Sequence, residues 1–178
     1  GWGGSCFSKD LEALAATARS HGQEPLLLNA ATKVNQNQRH RLVRKLQQHL
    51  RPLRGSRIAL LGLSFKPNTD DVRDAPAITI ATSLMEKGAI VRAYDPLVKS
   101  IPELPLLQTS TDPYSALERA DALILVTEWP ELTNLDFHEV AARMRGNLVL
   151  DGRNSFAPNV VREAGLVYEG IGKGVPPA

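Results

Sequence analysis

The sequence has few of the features that mark secreted or membrane proteins. It contains one cysteine among 178 residues, which excludes an intrachain disulfide and predicts a reducing, cytoplasmic setting. No apolar run reaches the roughly 20 residues of a membrane-spanning helix, and no signal-peptide pattern opens the chain. Aromatic residues make up only 5%, so Leu, Ile, Val and Ala must form most of the core.

An excess of charge of one sign is also absent. The chain has 21 Lys and Arg residues and 19 Asp and Glu residues, and the net charge of +2 does not argue for nucleic acid or a membrane as a partner. A hydrophobic content of 43% excludes a disordered chain, and the length suits about one domain with a helical appendage. Because the sequence opens on Gly1 rather than Met, we expect a piece of a longer protein.

The chain divides into two regions of different hydrophobic period. From Ser8 to about Arg54, apolar residues recur every three or four positions, which predicts one helix ending at Gly22 and a second of about 25 residues after Pro25. A helix of that length, about 40 Å, usually bridges two domains or pairs with a copy of itself. Its apolar stripe is predicted at Leu27, Ala31, Val34, Gln38, Leu42, Leu46 and Leu50, and its exposed basic side at Arg39, His40, Arg41, Arg44, Lys45 and His49.

From Arg57 onward, short apolar runs alternate with helical stretches. Strands are predicted at 58–62, 90–94, 106–107, 122–126, 148–150 and 166–168. Helices are predicted at 77–87, 112–119, 137–144 and 160–164. This alternation predicts an α/β fold with a parallel sheet covered by helices on both faces. Ligands of such sheets bind beyond the carboxyl ends of the strands, here 62–73, 95–96, 127–129 and 151–154.

The first ten residues, Gly-Trp-Gly-Gly-Ser-Cys-Phe-Ser-Lys-Asp, carry the most chemistry. Their glycines let the backbone approach a ligand closely. Cys6 precedes a helix that Ser8 is predicted to cap, and the helix start and Lys9 favour a thiolate. Asp10 is spaced to position or deprotonate a water. The competing interpretation is a buried structural cysteine beside a glycine-rich turn.

The loop at 62–76 lies between a strand and a helix, where phosphate-binding loops occur. It contains one glycine, so it is neither a G-x-G-x-x-G motif nor a P-loop, and phosphates would meet the side chains of Lys66 and Arg73. The alternative is a solvated turn in which Arg73 pairs with Asp70 or Asp74.

Arg153 follows another strand and is expected to project toward the same crevice as Lys66, which makes a pyrophosphate-binding pair plausible. Asp95 ends a strand where a dinucleotide fold would place its ribose-binding acid, but without the glycine fingerprint we expect a helix or turn cap. Trp129 is expected to pack rather than to stack on a base. The four histidines show no metal-ligand spacing, and no metal is expected.

Taken in order, these stretches resemble the UDP-glucose/GDP-mannose dehydrogenase family. The matching motifs are the first ten residues, then Ser-Phe-Lys-Pro-Asn-Thr-Asp-Asp-Val-Arg-Asp-Ala-Pro, Tyr-Asp-Pro, Thr-Glu-Trp and Asp-Gly-Arg-Asn, which together span residues 1–154. The chain departs from the family at Ser8, where proline is usual.

The resemblance implies oxidation of a nucleotide sugar at C6, from alcohol to carboxylate, with two NAD⁺. By resemblance, Cys6 is the covalent nucleophile and Asp10 assists the hydrolytic water. The positions that match substrate-binding residues are Gly1, Trp2, Gly3, Phe65, Lys66 and Arg153. Those that match cofactor-binding residues are Cys6, Phe7, Ser8, Lys9 and Arg73.

The resemblance also implies the domain plan. Residues 1–54 match a remnant of the central helical, dimerising domain, and 55–178 match a Rossmann-like nucleotide-sugar-binding domain, which predicts a homodimer through the long helix. The N-terminal NAD domain is not in this sequence, so the fragment is expected to be inactive. Lys-Pro-Asn-Thr-Asp-Asp looks most like bacterial enzymes acting on UDP-glucose. The alternatives are enzymes acting on GDP-mannose or UDP-N-acetylmannosamine, a regulatory module without redox activity, and a basic helix that binds nucleic acid.

Overall fold

A computed structural model describes residues 1–173 of the chain. Residues 174–178, the end of the second predicted domain, lie outside the described residues. The helices are α1 (Ser5–Ser20), α2 (Leu26–His49), α3 (Pro76–Glu86), α4 (Pro113–Leu117), α5 (Pro130–Thr133), α6 (Phe137–Arg143) and α7 (Pro158–Glu163). The strands are β1 (Arg57–Leu61), β2 (Ile90–Tyr94), β3 (Gln108–Thr109), β4 (Ala122–Leu125), β5 (Leu148–Asp151) and β6 (Val167–Gly170).

The strands form one parallel sheet in the order β3-β2-β1-β4-β5-β6. Every residue of the central strands β4 and β5 is buried, as expected for a parallel sheet with both faces covered. The prediction of a Rossmann-like α/β fold is therefore confirmed. The strand order reverses between β1 and β4, and the loops after these two strands border the place where such sheets bind ligands.

The core has two parts, one on each face of the sheet. On one face, Leu60 and Ile124 pack with α3 and with Leu46 of α2. On the other, Leu61 and Leu125 pack with α4, α6 and α7. Because Leu46 is fully buried, the C-terminal half of the long helix shares a core with the sheet.

Helix α2 is only partly covered, which corrects the predicted apolar stripe. Leu27 is 86% exposed and Val34 is 56% exposed, whereas Leu42 and Leu46 are buried as predicted. Only the C-terminal half of the helix reaches the sheet, while the N-terminal half packs against α1. The N-terminal half therefore presents apolar side chains to solvent.

The predicted basic side of α2 is corrected at Arg39 and Lys45, which are not exposed. Only 9% of the Arg39 side chain is exposed, and it pairs with Asp74 at 2.7 Å. Lys45 and His49 both bind the buried carboxylate of Glu169 on β6. Arg39 and Lys45 are therefore paired within the protein, whereas His40, Arg41 and Arg44 are exposed as predicted.

Several predicted boundaries moved. Helix α1 begins at Ser5, three residues before the predicted Ser8 cap, with Gly4 at the N-cap position, so Cys6 lies inside the first turn. Strand β3 occupies Gln108–Thr109 instead of 106–107, and Leu106 is exposed. The short helix α5 was not foreseen. The Asp112 cap of α4 is confirmed, since its carboxylate accepts the Ser115 amide hydrogen bond.

Within residues 1–173, no helix has the length and apolar character needed to cross a bilayer. The same described part of the chain holds no cluster of three or more His, Cys, Asp or Glu side chains that could bind a metal ion.

Candidate active site

The glycine-rich stretch before α1 is held by the side chains of α2. The Trp2 amide donates to Oδ1 of Asn35 at 2.7 Å, and Nδ2 of Asn35 donates back to the Trp2 carbonyl at 3.1 Å. One turn along α2, Nη2 of Arg39 donates to the same carbonyl at 3.0 Å. Both the amide and the carbonyl of Trp2 are therefore hydrogen-bonded to side chains of α2.

The next residues of this stretch dock on the loop after β1. The Gly4 amide donates to the Arg73 carbonyl at 3.1 Å. Gly4 has φ +85°, and a Cβ atom there would lie 2.9 Å from the Phe65 ring. A Cβ atom on Gly3 would lie 2.7 Å from the Asp74 carbonyl oxygen. Glycine is required at both positions because backbone and ring occupy the space of a side chain.

Ser8 has a different role from the predicted helix cap. Its Oγ donates to Oδ2 of Asp74 at 2.7 Å, while Nη1 of Arg39 donates to Oδ1 of the same carboxylate at 2.7 Å. Burial raises the pKa of Asp74, but the hydrogen bonds from Arg39 and Ser8 outweigh it and hold the pKa below its ordinary value. Asp74 thus joins α1, α2 and the loop after β1 as an anion.

The only cysteine is exposed in the first turn of α1. The interpretation of a buried structural cysteine is therefore wrong. Lys9 and Asp10 are exposed near it, and Phe7 is 51% exposed with its ring edge-on to Trp2 at a centroid distance of 5.1 Å. The helix start that bears the thiol is open to a ligand from outside.

Arg73 pairs with Asp71, and not with Asp70 or Asp74 as predicted. Its Nε and Nη2 donate to the two oxygens of Asp71 at 2.9 and 2.7 Å. The hydrogen bond and charge of Asp71 raise the pKa of Arg73.

The loop that carries Phe65 and Lys66 is held by hydrogen bonds to a buried carboxylate, that of Asp95. Asp95 is 1% exposed, and it accepts hydrogen bonds from the amides of Leu63, Ser64, Leu97 and Val98, the Ser64 hydroxyl and the Trp129 indole. The predictions of a turn cap at Asp95 and a packed Trp129 are confirmed. Lys66 itself is exposed, with Nζ 5.3 Å from the centroid of the Phe65 ring.

The structure places Arg153 beside Gly1. Both residues, with Arg39 and Gly152, line a cavity of about 60 Å³ between α2, α3 and the carboxyl ends of β4 and β5. The Arg153 guanidinium also binds both oxygens of Glu128. Among the described residues, Lys66 does not line this cavity, so a shared crevice for the two cations stays a prediction.

Sequence reasoning missed the residues that fasten the site. Asn35 was not singled out, Arg39 was taken as solvent-facing, and Asp71 and Asp74 were treated only as loop acids. The signal for Asn35 was a polar residue seven positions before Leu42 and eleven before Leu46, which puts it on the buried helix face.

The sheet order and the loops at its carboxyl ends define a Rossmann-like α/β protein. Residues 59–158 match the model of the UDP binding domain of the UDP-glucose/GDP-mannose dehydrogenase family, and residues 1–37 match the model of its central domain. The chain belongs to the UDP-glucose/GDP-mannose dehydrogenase family.

Individual proteins agree with this assignment. The chain is 40% identical to the UDP-glucose 6-dehydrogenase TuaD of Bacillus subtilis, over 97% of this chain and 38% of that protein. A solved UDP-glucose dehydrogenase from Pyrobaculum islandicum aligns with a TM-score of 0.81 and 34% identity, over 98% of this chain and 38% of its own. A solved UDP-D-ManNAc dehydrogenase from Pyrococcus horikoshii aligns with a TM-score of 0.80 and 28% identity, over 98% of this chain and 39% of its own. The chain thus spans about two fifths of the length of these relatives.

Proposed function

We propose that this chain forms the cysteine-bearing and UDP-sugar-binding part of an NAD-dependent nucleotide-sugar 6-dehydrogenase that converts UDP-glucose to UDP-glucuronate. The observation that carries the proposal is the hydrogen bond from the Gly4 amide to the Arg73 carbonyl. It joins the exposed cysteine of α1 to the loop that bears Phe65 and Lys66, so a reactive thiol and a cation beside a UDP-binding sheet belong to one connected structure.

Cys6 supplies the covalent step. Its thiolate adds to the C6 aldehyde carbon of the half-oxidised sugar, and the oxygen takes up a proton to give a thiohemiacetal. Loss of a hydride from that carbon and of the proton from its hydroxyl then leaves a thioester. Water then attacks the thioester carbonyl, the C–S bond breaks, and the carboxylate and the free thiol are released. Asp10, exposed on the same helix and four residues beyond Cys6, is the group we assign to orient this water.

The residues of this chain that suit contact with NAD lie on α1 and on the loop after β1, and they would cover only one side of the cofactor. Phe7 offers an exposed aromatic ring, and with Ser8 and Lys9 it forms the side of α1 that we assign to the cofactor, together with the exposed guanidinium of Arg73 on the loop after β1. NAD⁺, when bound, accepts the hydrides from the sugar carbon. This chain's own sheet is not assigned as the NAD site, because Asp95 is saturated by internal donors.

We assign binding of the diphosphate and the sugar to the loops at the carboxyl ends of β1 and β5. Lys66 is exposed and not fixed by an acid in the described residues, so it is available to a phosphate. We assign the approach of the sugar to the backbone of Gly1, Trp2 and Gly3, and a polar substrate contact to Arg153. The domain division at 54/55 is part of the same proposal and is supported by the two matched ranges, 1–37 and 59–158.

A second substrate, UDP-N-acetylmannosamine, is favoured by one observation. The solved dehydrogenase named for UDP-D-ManNAc aligns with a TM-score of 0.80, nearly equal to the 0.81 of the UDP-glucose dehydrogenase. The fold therefore does not separate the two substrates, while the higher identity of 34% against 28% supports UDP-glucose.

The test is to follow NADH at 340 nm for the full-length protein that contains this chain, with UDP-glucose, UDP-N-acetylmannosamine and GDP-mannose in turn. We expect two NADH per UDP-glucuronate formed, and the highest kcat/KM for UDP-glucose. Absence of NADH with all three sugars would contradict the redox proposal and leave a regulatory module. The chain of 178 residues alone is expected to give no steady NADH production, and steady turnover would contradict the need for a separate NAD domain.

We also propose a homodimer through α1 and α2. Leu27, Val34 and Leu14 are large apolar side chains that these two helices leave exposed on the structure described here. Light scattering at tens of micromolar is expected to give twice the 19.4 kDa chain mass, and a monomeric mass would contradict this arrangement.

A further inference from the structure

The buried side chain of Asn35 is devoted to the backbone of a single residue. Asn35 is 4% exposed, and both ends of its amide bind Trp2, with Oδ1 accepting at 2.7 Å and Nδ2 donating at 3.1 Å. A buried amide with both ends satisfied fixes its partner in position and orientation, because breaking either bond leaves a polar group without a partner.

The grip on Trp2 is extended by the next turn of α2. Arg39, four residues after Asn35, donates to the Trp2 carbonyl at 3.0 Å and to Asp74 at 2.7 Å. The other oxygen of Asp74 accepts from Ser8 at 2.7 Å, two residues past the cysteine. Thus α2 holds the stretch before Cys6 directly and the stretch after it through one carboxylate.

The glycine-rich backbone also lies too close to Asn35 for a side chain to replace Gly1. A Cβ atom on Gly1 would lie 2.3 Å from Oδ1 of Asn35, so the backbone lies directly on the amide. Between the two anchored ends, the Gly4 amide is bound to Arg73. Cys6 follows only two residues later, at the start of a helix with no side-chain cap of its own.

We propose that Asn35 is a positioning residue that sets where the Cys6 thiol lies relative to the nucleotide sugar. It acts by fixing the Trp2 backbone, and Arg39 and Asp74 complete the fastening. This inference rests on the proposed function, in which Cys6 attacks C6 of the bound sugar. A displacement of about 1 Å at a reacting atom lowers rates by about 100-fold, so a loosened loop reduces the chemical step more than substrate binding.

The first test is steady-state kinetics of the Asn35→Ala variant of the full-length protein. We expect kcat to fall by about tenfold to 100-fold. The KM for the nucleotide sugar is expected to change by a smaller factor, because Lys66 and Arg153 lie on other elements. Asn37→Ala, an exposed asparagine on the same helix, is the matched control and should behave as wild type. Unchanged kcat in a folded, active Asn35→Ala variant would overturn the proposal.

The second test reads the loop itself, without turnover. Hydrogen exchange of the Gly4 amide, measured on the full-length protein, should become about tenfold faster in Asn35→Ala and stay unchanged in Asn37→Ala. Exchange at the wild-type rate would overturn the proposal even if activity fell. If the wild-type protein makes no NADH with any sugar, the proposed function fails while Gly4 exchange still decides whether Asn35 fixes the loop.

A second variant guards against misfolding of Asn35→Ala. Asn35→Asp keeps the shape and an oxygen acceptor for the Trp2 amide but loses the donor to the Trp2 carbonyl. We expect a fall in kcat and a rise in Gly4 exchange, because a carboxylate oxygen then faces the Trp2 carbonyl in place of the donor. Wild-type values for both would contradict the role of the amide.

Discussion

The Gly4 amide donates a hydrogen bond to the Arg73 carbonyl at 3.1 Å, across 69 residues of sequence. This contact fixes the glycine-rich stretch against the loop that follows β1. Gly3 and Gly4 then lie so close to the Asp74 carbonyl and the Phe65 ring that no side chain fits. Because of this docking, the first turn of α1, with its exposed thiol, has a defined place relative to the sheet.

Replacing the sulfur tests the covalent step. Cys6→Ser in the full-length protein is expected to lower NADH production by at least about 1000-fold, because a serine alkoxide is much harder to form than a thiolate. Binding of the nucleotide sugar, measured by calorimetry, should stay near the wild-type value. Ser5→Ala, beside it in the same helical turn, is the matched control and should keep near-normal turnover. Near-normal acid production by Cys6→Ser would mean that no thioester forms at this sulfur.

Removing the loop lysine tests substrate binding. Lys66→Ala is expected to raise the KM for the nucleotide sugar by about tenfold or more, since a charge-assisted hydrogen bond to phosphate contributes about 1.5–3 kcal/mol. The change in kcat should be smaller. Lys87→Ala, an exposed lysine at the end of α3, is the control. An unchanged KM in Lys66→Ala, with the salt dependence of KM also unchanged, contradicts the assignment to phosphate.

Asp95 should make stability depend on acid. Burial raises the pKa of Asp95, but hydrogen bonds from the backbone amides of Ser64, Leu63, Leu97 and Val98 together outweigh it and hold the pKa below its ordinary value of 3.8. A carboxyl with a lowered folded-state pKa contributes stability above its unfolded pKa, and that contribution is lost as the pH falls through the folded pKa. We therefore expect the free energy of unfolding to fall below about pH 4.

The matching variant is Asp95→Asn, measured by urea unfolding between pH 3 and pH 7. An amide places NH₂ against converging donors, so the variant should be less stable at pH 7 by about 2–4 kcal/mol, and the deficit should shrink below about pH 4. Asp70→Asn, an exposed aspartate of the neighbouring loop, should match wild type. A deficit in Asp95→Asn that is constant across this pH range would show that ionisation of Asp95 is not its source.

Glu169 should decide how firmly α2 is docked. Its side chain is 7% exposed and binds both Lys45 and His49 of α2. Glu169→Gln leaves a half-buried lysine without its counter-charge, so the free energy of unfolding is expected to fall by about 2–4 kcal/mol, with faster proteolysis within α2. Glu163→Gln, exposed at the end of α7, is the control. Equal stability and equal proteolysis of the two variants would contradict this role.

Local signals predicted much of the sheet. Strand β2 has the predicted bounds, and Asp112 caps α4 as expected, because apolar runs and a cap depend on neighbours along the chain. The start of α1 was misplaced because Ser8 is a good cap by type, whereas its hydroxyl is taken by Asp74 from another element. Strand β3 was misplaced because only two residues pair with β2, too few to leave a periodic pattern.

In the site, too, the sequence identified candidate residue types but not the contacts that these residues make. Cys6, Lys66, Arg73 and Arg153 were singled out as candidates from their residue types and their places after strands or before a helix. Their partners Glu128 and Arg39 were not foreseen, because these residues meet them or their loops only through folding. The alternative interpretation, in which Arg73 pairs with Asp70 or Asp74, was wrong because all three acids lie within three residues of Arg73 and spacing does not decide among them.

By itself, the sequence determined the α/β class, the parallel sheet and the residues able to do chemistry, since periodicity and residue type are local properties. The tertiary structure decided which half of α2 is buried, that Asn35 and Arg39 hold the glycine-rich stretch, and that Cys6 is exposed. The reason is that buried hydrogen bonds between residues 33 to 69 positions apart depend on how helices pack on the sheet, and no pattern along the chain encodes that packing.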